Sequence, residues 1–250
     1  MKNDLYNYII SIADNSLILG QRLGELCGHG PTLETDIACT NISLDLIGQA
    51  RNYYQYAAKV QGENKTEDDI AFLRLEKEYR NVLLVEQPNT HFGYVMGRQF
   101  LFDVYHLMFM EALASSKDET LAAIAKKGIK EVSYHKRFSS DWVRRLGDGT
   151  EESNKKIQEA ISDLWRFTEE LFDVTDVEKS MIDDSLGVDI RELKDKYYEE
   201  VTAVLEEAKL KAPEHNYFTK GGKKGVHTEH MGYLLADLQY MQRTYPNMKW

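Results

Sequence analysis

Apolar residues recur at three-to-four-residue spacing along almost the whole chain, and no stretch alternates with the period of two that a half-buried strand requires. The pattern predicts an all-α, long-helix bundle. A first helix is expected over about 4–24, ended by Cys27-Gly28-His29-Gly30-Pro31, where two glycines and a proline break the period. A second is expected over about 33–60, with Leu33, Ile37, Leu44, Ile47, Tyr54 and Ala58 as its apolar stripe, and a third over about 67–86, closed by Gln87-Pro88-Asn89. Further helices are expected over about 90–116, 118–146 and 151–172, with Gly147-Asp148-Gly149 between the last two. Beyond residue 172 the pattern weakens to a short element near 177–185, a charged helix over about 189–210, the loop Lys220-Gly221-Gly222-Lys223-Lys224-Gly225 and a closing helix over about 227–243. With no low-complexity tract, repeat or linker, the chain reads as one domain, a core bundle over about 1–172 with peripheral helices over about 173–250.

Charge and cysteine content narrow the function classes. The 31 basic and 41 acidic residues give a net charge of −10. Residues 151–210 hold 18 acidic and 8 basic residues, which argues against nucleic-acid binding, while 211–250 hold 6 basic and 3 acidic, enough only for a discrete anion. Cys27 and Cys39 are too few for a disulfide framework or a zinc knuckle. The N-terminus lacks a signal-peptide core and no apolar run reaches membrane-spanning length, so a soluble, cytoplasmic chain with no membrane association is expected.

Four carboxylates, Asp45, Glu76, Asp103 and Glu131, fall one on each of four predicted helices. Carboxylate-bridged di-metal bundles take a Glu from each of two helices and a Glu-x-x-His pair from each of two others. Here Glu76 is followed at the third position by Tyr79, and Glu131 by Tyr134; a tyrosine is a poor replacement for a neutral imidazole. Chance alone can place one acid per helix among 41, yet Asp45 lies between Leu44 and Leu46 and Asp103 between Phe102 and Val104, so both are expected to point inward. A buried carboxylate must be paired, protonated or metal-bound. Arg80, Arg98, Lys130, Lys136, His106 and His135 could answer them, and Asp103 with His106 is the best Asp-x-x-His pair. The reading is a vestigial metal site with no metal in this chain. The alternative is an independent di-metal oxidase or ferritin-like protein using Asp45, Glu76, Asp103, His106, Glu131 and His135.

Several segments, in order and spacing, resemble the C subunits of bacterial phenylacetyl-CoA epoxidase (ring 1,2-phenylacetyl-CoA monooxygenase). They are Leu44-Asp45-Leu46-Ile47-Gly48-Gln49-Ala50-Arg51, Leu84-Val85-Glu86-Gln87-Pro88-Asn89, Arg98-Gln99-Phe100-Leu101-Phe102-Asp103 and Gly221-Gly222-Lys223-Lys224-Gly225-Val226-His227-Thr228-Glu229-His230, and the resemblance extends to Trp250. It implies a ferritin-like fold and a structural subunit without its own active site or cofactor. It also implies a homologous A subunit that carries the di-iron centre, a small B subunit, and a reductase with FAD and an iron–sulfur cluster. The complex uses O₂ and NADPH to form a ring epoxide on phenylacetyl-CoA in aerobic phenylacetate degradation.

The resemblance further implies that this chain lends surface to the coenzyme A pocket around Glu78-Tyr79-Arg80-Asn81 and, more weakly, Lys179-Ser180-Met181. Arg80 could meet a phosphate and Asn81 a base or pantetheine amide; an interhelix polar contact is the alternative. The Lys220 to Gly225 loop reads either as an anion site or as a glycine-rich turn that docks on a partner. His227 and His230 are taken as structural, with Thr228 and Glu229 able to cap the last helix. Tyr53, Tyr54, Tyr56, Trp142, Trp165 and Phe167 are expected in the core or at an interface. A bundle without a working metal site is expected to keep a face for a homologous partner, with self-association a further option.

Overall fold

The computed structural model describes residues 2–62, 64–214, 217–246 and 248; Trp250 lies outside them. Among the described residues there are nine α-helices and no strand. Two long antiparallel pairs form the frame: α1 (Lys2–Gly24) with α2 (Leu33–Gln61), and α4 (Phe92–Leu113) with α5 (Glu119–Gly147). The pairs meet along α2 and α5. Thr32 starts α2 by accepting a hydrogen bond from the Thr35 amide, and Gly62, at φ 72°, ends it in the left-handed region.

The third predicted helix is replaced by something else. Only α3 (Glu67–Phe72) is helical; residues 73–87 form an extended strap with 3-10 turns at Glu76–Glu78 and Leu83–Glu86. A buried, non-helical backbone must find other hydrogen-bond acceptors. Here they are side chains from distant segments. The Arg80 amide donates to Asp14 Oδ2 (2.7 Å), that of Val82 to Asn15 Oδ1 (2.8 Å) and that of Leu83 to Glu170 Oε2 (2.6 Å).

The remaining helices wrap this frame: α6 (Glu151–Leu164), continued by a 3-10 stretch to Phe172, α7 (Asp176–Asp183), α8 (Lys194–Glu207) and α9 (Glu229–Thr244). They share its core, since Met181, Tyr197, Val201 and Met231 are buried in the same apolar cluster as Ile9, Leu46 and Phe100. The strap is clamped from outside by the C-terminal segment. Gln239 Nε2 donates to the Arg74 carbonyl (2.9 Å), and Gly222 packs so closely that a β-carbon there would lie 2.2 Å from the Asn81 carbonyl oxygen.

The second-helix stripe is corrected. Tyr54 is buried and Ile47 and Ala58 are half-buried, but Leu33, Ile37 and Leu44 are 72%, 51% and 61% exposed. The face turned inward carries Cys39, Ile42, Leu46, Ala50, Tyr53 and Ala57. That set keeps the helical period equally well, so α2 has two apolar rows and only one of them meets this chain's core. Among the aromatic residues, Tyr53, Tyr54, Trp165 and Phe167 are buried, and Tyr56 and Trp142 pack partly buried against the core.

Candidate functional site

The bundle interior holds a polar layer built from α2, α4 and α5. Asp103 on α4 is fully buried and accepts from Gln99 Nε2 at 2.7 Å. Burial pushes its pKa up to about 7, against the lowering effect of His135, Ser139 and Gln99. His106, one turn along α4, is also buried; burial and then His135 lower its pKa to about 3, so it is neutral. On the outer side of this layer His135 Nε2 lies 3.0 Å from Asp45 Oδ2, and Gln49 Nε2 donates to Glu131 Oε2 at 2.9 Å. Asp45, Gln49, Lys127 and Glu131 line a groove of about 220 Å³ between α2 and α5.

Three of the four predicted carboxylates thus gather at one level of the bundle, and Glu76 does not. Glu76 is exposed on a 3-10 turn of the strap. Tyr79, three residues later, is fully buried away from the bundle layer; its hydroxyl donates to the Ala71 carbonyl (2.6 Å) and the Arg74 guanidinium lies 4.1 Å from its ring centre. Tyr134 is 37% exposed, so the inward imidazole of α5 is the next residue, His135, and the position three before it is the buried Val132. Tyr134 therefore does not point into the layer, and the inward position three before His135 carries an apolar Val132 and no carboxylate. The one buried carboxylate of α1, Asp14, is held instead by Tyr54 and Arg74.

This donor set does not fit a di-metal centre. Asp103 is the only fully buried carboxylate of the layer, and Asp45 and Glu131 each already face a side-chain partner. Among the described residues no three His, Cys, Asp or Glu side chains are placed to hold one ion. Arg98 does not answer Asp103; it turns to the Gln87 carbonyl and Asn89 Oδ1. Lys136 pairs with Glu200, and Lys130 is exposed.

A second feature lies where the strap, α1, α7 and the C-terminal loop meet. Arg80, Lys223 and Lys224 line a cleft of about 360 Å³ with Asn7, Ser11 and Glu178. Such a volume is at the low end of the roughly 300–1,000 Å³ of small-molecule sites, enough for part of an extended ligand. Arg80 donates Nη1 to the Lys77 and Tyr79 carbonyls (2.6 and 2.8 Å), which fixes its head, and Lys223 Nζ donates to Glu178 Oε1 at 2.9 Å. The other predicted substrate-site residues divide. Asn81, fully buried, donates to Glu86 Oε2 (3.0 Å); Met181 is buried; Glu78 caps its own 3-10 turn; Lys179 is exposed on α7 and Ser180 faces Asp4.

Sequence reading found Arg80 and the lysine loop separately but did not place them together. The signal was there in the close-packing glycines: a β-carbon at Gly225 would lie 2.2 Å from the Lys77 carbonyl oxygen and one at Gly222 against Asn81. The loop is not an open anion cradle. Its Gly221 and Lys223 amides donate to Glu170 Oε1 (2.7 and 3.4 Å), so the anion it holds is the chain's own. His227 is structural in the same sense. Its Nδ1 lies 2.9 Å from Glu86 Oε2 and its Nε2 3.2 Å from the Tyr79 carbonyl; burial alone would lower its pKa, but Glu86 and the carbonyl hold it above the ordinary value. Thr228 contributes its amide to Glu86 Oε1 (2.6 Å).

Fold and site together define an all-α, ferritin-like bundle with a buried Asp–His layer in which no three described His, Cys, Asp or Glu side chains are placed to hold one ion. The comparisons place it more narrowly. The family model described as "Phenylacetic acid catabolic protein" matches residues 1–250, and the chain belongs to that family. It is 48% identical over 248 residues, 99% of this chain and 100% of the relative, to the C subunit of 1,2-phenylacetyl-CoA epoxidase from Escherichia coli (strain K12). No helix among the described residues is long and apolar enough to cross a membrane.

Proposed function

We propose that this chain is a non-catalytic structural subunit of a phenylacetyl-CoA epoxidase, a multicomponent monooxygenase of aerobic phenylacetate degradation. In this reading it stabilises a homologous A subunit that carries di-iron, alongside a small B subunit and a reductase with FAD, an iron–sulfur cluster and NADPH. The observation that carries it is the polar layer around Asp103, where a ferritin-like bundle keeps His106 and His135 but has Val132 in place of a carboxylate and holds Asp14 in an unrelated ion pair. Full-length similarity to the C subunit of such an epoxidase supports the same assignment.

The cleft around Arg80 is proposed to contribute to the CoA-ester pocket. Arg80 and Lys224 supply positive charge that a phosphate or diphosphate would meet, and the cleft holds only part of such a ligand, consistent with a pocket completed by another protein of the complex. Metal analysis of the isolated chain tests the structural role: two equivalents of iron and O₂ consumption with phenylacetyl-CoA by this chain alone would overturn it. Arg80→Ala in the assembled complex tests the cleft. CoA-ester affinity should fall with iron content unchanged, and unchanged affinity removes Arg80 from the site.

A further inference from the structure

A second, much smaller cavity adjoins the cleft on the bundle side. Its volume is about 20 Å³, and Ser11, Arg80, Glu178 and Lys223 border both spaces. The rest of its wall is largely aromatic, with Tyr8 from α1 and Phe102, Tyr105 and Phe109 from α4. His106 closes it, its ring centre 5.1 Å from that of Phe102. The same histidine belongs to the polar layer around Asp103, so the cavity stands between the cleft and that layer.

Hydrogen-bond accounting shows what the cavity lacks. His106 Nδ1 is buried and has no partner among the described residues. A neutral imidazole has one nitrogen that donates and one that accepts, and a buried nitrogen left unpaired is costly. The polar groups at the mouth of the cavity are already engaged. Ser11 Oγ donates to the Tyr8 carbonyl at 2.8 Å, and Arg80 Nη1 is held by the Lys77 and Tyr79 carbonyls. Glu178 gives one oxygen to Lys223 and the other to the Thr175 cap. Two hydroxyls remain. That of Tyr105 makes no hydrogen bond among the described residues, and that of Tyr8 accepts from the Val188 amide at 3.1 Å with its own hydrogen unused. Three groups with spare capacity thus belong to the wall of one cavity.

Size and charge identify the ligand. A water needs about 10–15 Å³ and two to four polar partners, and both conditions are met. A ring or an acyl chain does not fit the space. Nor does the wall favour an ion, because Glu178 and Lys223 neutralise each other and His106 is uncharged. We propose that the cavity is a binding site for a single water molecule, held by His106 Nδ1 and the hydroxyls of Tyr105 and Tyr8. The water gives the imidazole its missing partner and joins the cleft to the Asp103 layer through one ring.

Nuclear magnetic resonance of the isotope-labelled full chain near neutral pH tests it. Cross-relaxation should place a long-lived water beside carbon-bound ring protons of His106 and Tyr105, and the His106 Nδ1 shift should be that of a hydrogen-bonded nitrogen. In His106→Phe the water signal at Tyr105 should be lost, while His106→Gln, which keeps a polar end, should retain it. Tyr105→Phe preserves the ring and removes one partner; it should weaken the water signal at His106 and shift Nδ1, and it carries the test if His106→Phe fails to fold. A crystal structure of the parent chain should show one water about 3 Å from His106 Nδ1. A dry cavity, a molecule larger than water, a His106 Nδ1 bonded to a protein group, or a water signal unchanged in both His106→Phe and Tyr105→Phe would each overturn the proposal.

Discussion

His135 Nε2 and Asp45 Oδ2 stand 3.0 Å apart and tie α5 to α2, with the imidazole fully buried and the carboxylate at the edge of the groove. The histidine therefore touches two environments. Its outer nitrogen meets a half-exposed acid, while its ring lies near Asp103 and His106 inside and bears on the titration of both.

Asp103 and His106 should oppose each other in the pH dependence of stability. Asp103, raised to about 7, holds a proton that the unfolded chain has released above about 4; its stabilising contribution is complete at low pH and is lost as pH rises through 7. His106, lowered to about 3, works in the other direction: its contribution is complete above about 6.5 and is lost as pH falls toward 3. Between about pH 4 and 6.5 the two slopes, each up to about 1.4 kcal/mol per pH unit, cancel. Denaturant unfolding should show Asp103→Asn gaining stability relative to the parent as pH rises from 4 to 7. His106→Phe should gain relative to the parent as pH falls from 6.5. Flat differences for both would mean that neither group is held as described.

The ion pair of Asp14 and Arg74, which also receives the Tyr54 hydroxyl at 2.5 Å, anchors the strap to α1. Removing one member leaves a buried charge. Asp14→Ala should cost about 3–5 kcal/mol, and the double replacement Asp14→Leu with Arg74→Met should recover much of it. Urea unfolding of Asp14→Leu, Arg74→Met and the double variant gives the coupling directly; additive losses would contradict the pairing.

His227 should make the C-terminal clamp sensitive to alkali. Its folded pKa lies above the ordinary value, so its contribution is full below about 6.5 and is lost as pH rises through the folded value. Amide exchange in α9 and the strap should accelerate over that range, beyond its intrinsic pH dependence. In His227→Asn the protection should be lower and should not vary with this step.

Gly222→Ala should be more damaging than its size suggests, because the new methyl would lie 2.2 Å from a backbone oxygen of the strap. A cost of about 1–3 kcal/mol is expected from overpacking, with the loop displaced from Arg80. Thermal unfolding measures the first effect. Reduced CoA-ester affinity in the assembled complex measures the second, and a loss equal to that of an exposed Lys220→Ala control would speak against it.

Periodicity made the long helices legible, since α1, α2, α4 and α5 each carry apolar residues at helical spacing that their own sequence displays. It failed over 73–87 because that segment's backbone donors are satisfied by Asp14, Asn15 and Glu170, partners some 65 to 90 positions away that no local window contains. On α5 an acid-to-aromatic spacing chose Tyr134, yet the inward face is one position further on, at His135; a shift of about 100° decides which side chain enters the core. Asp103 and His106 were readable because apolar neighbours on both sides fix their direction. Arg80 beside Lys223 was not, since it depends on where the chain returns some 140 residues later.

The C-terminal clamp has a consequence for how the chain is made. Arg22 of α1 donates to the Glu86 carbonyl and to the carbonyl of His230, and Glu86 and Glu170 receive amides from residues 221–228. During synthesis Glu86 of the strap and Glu170 after α6 both emerge before these partners, so the two buried acids must wait in water until the final segment leaves the ribosome. Closure of the molecule is thus a late, long-range event, and a chain stopped short of residue 230 would carry a bundle with its seam still open.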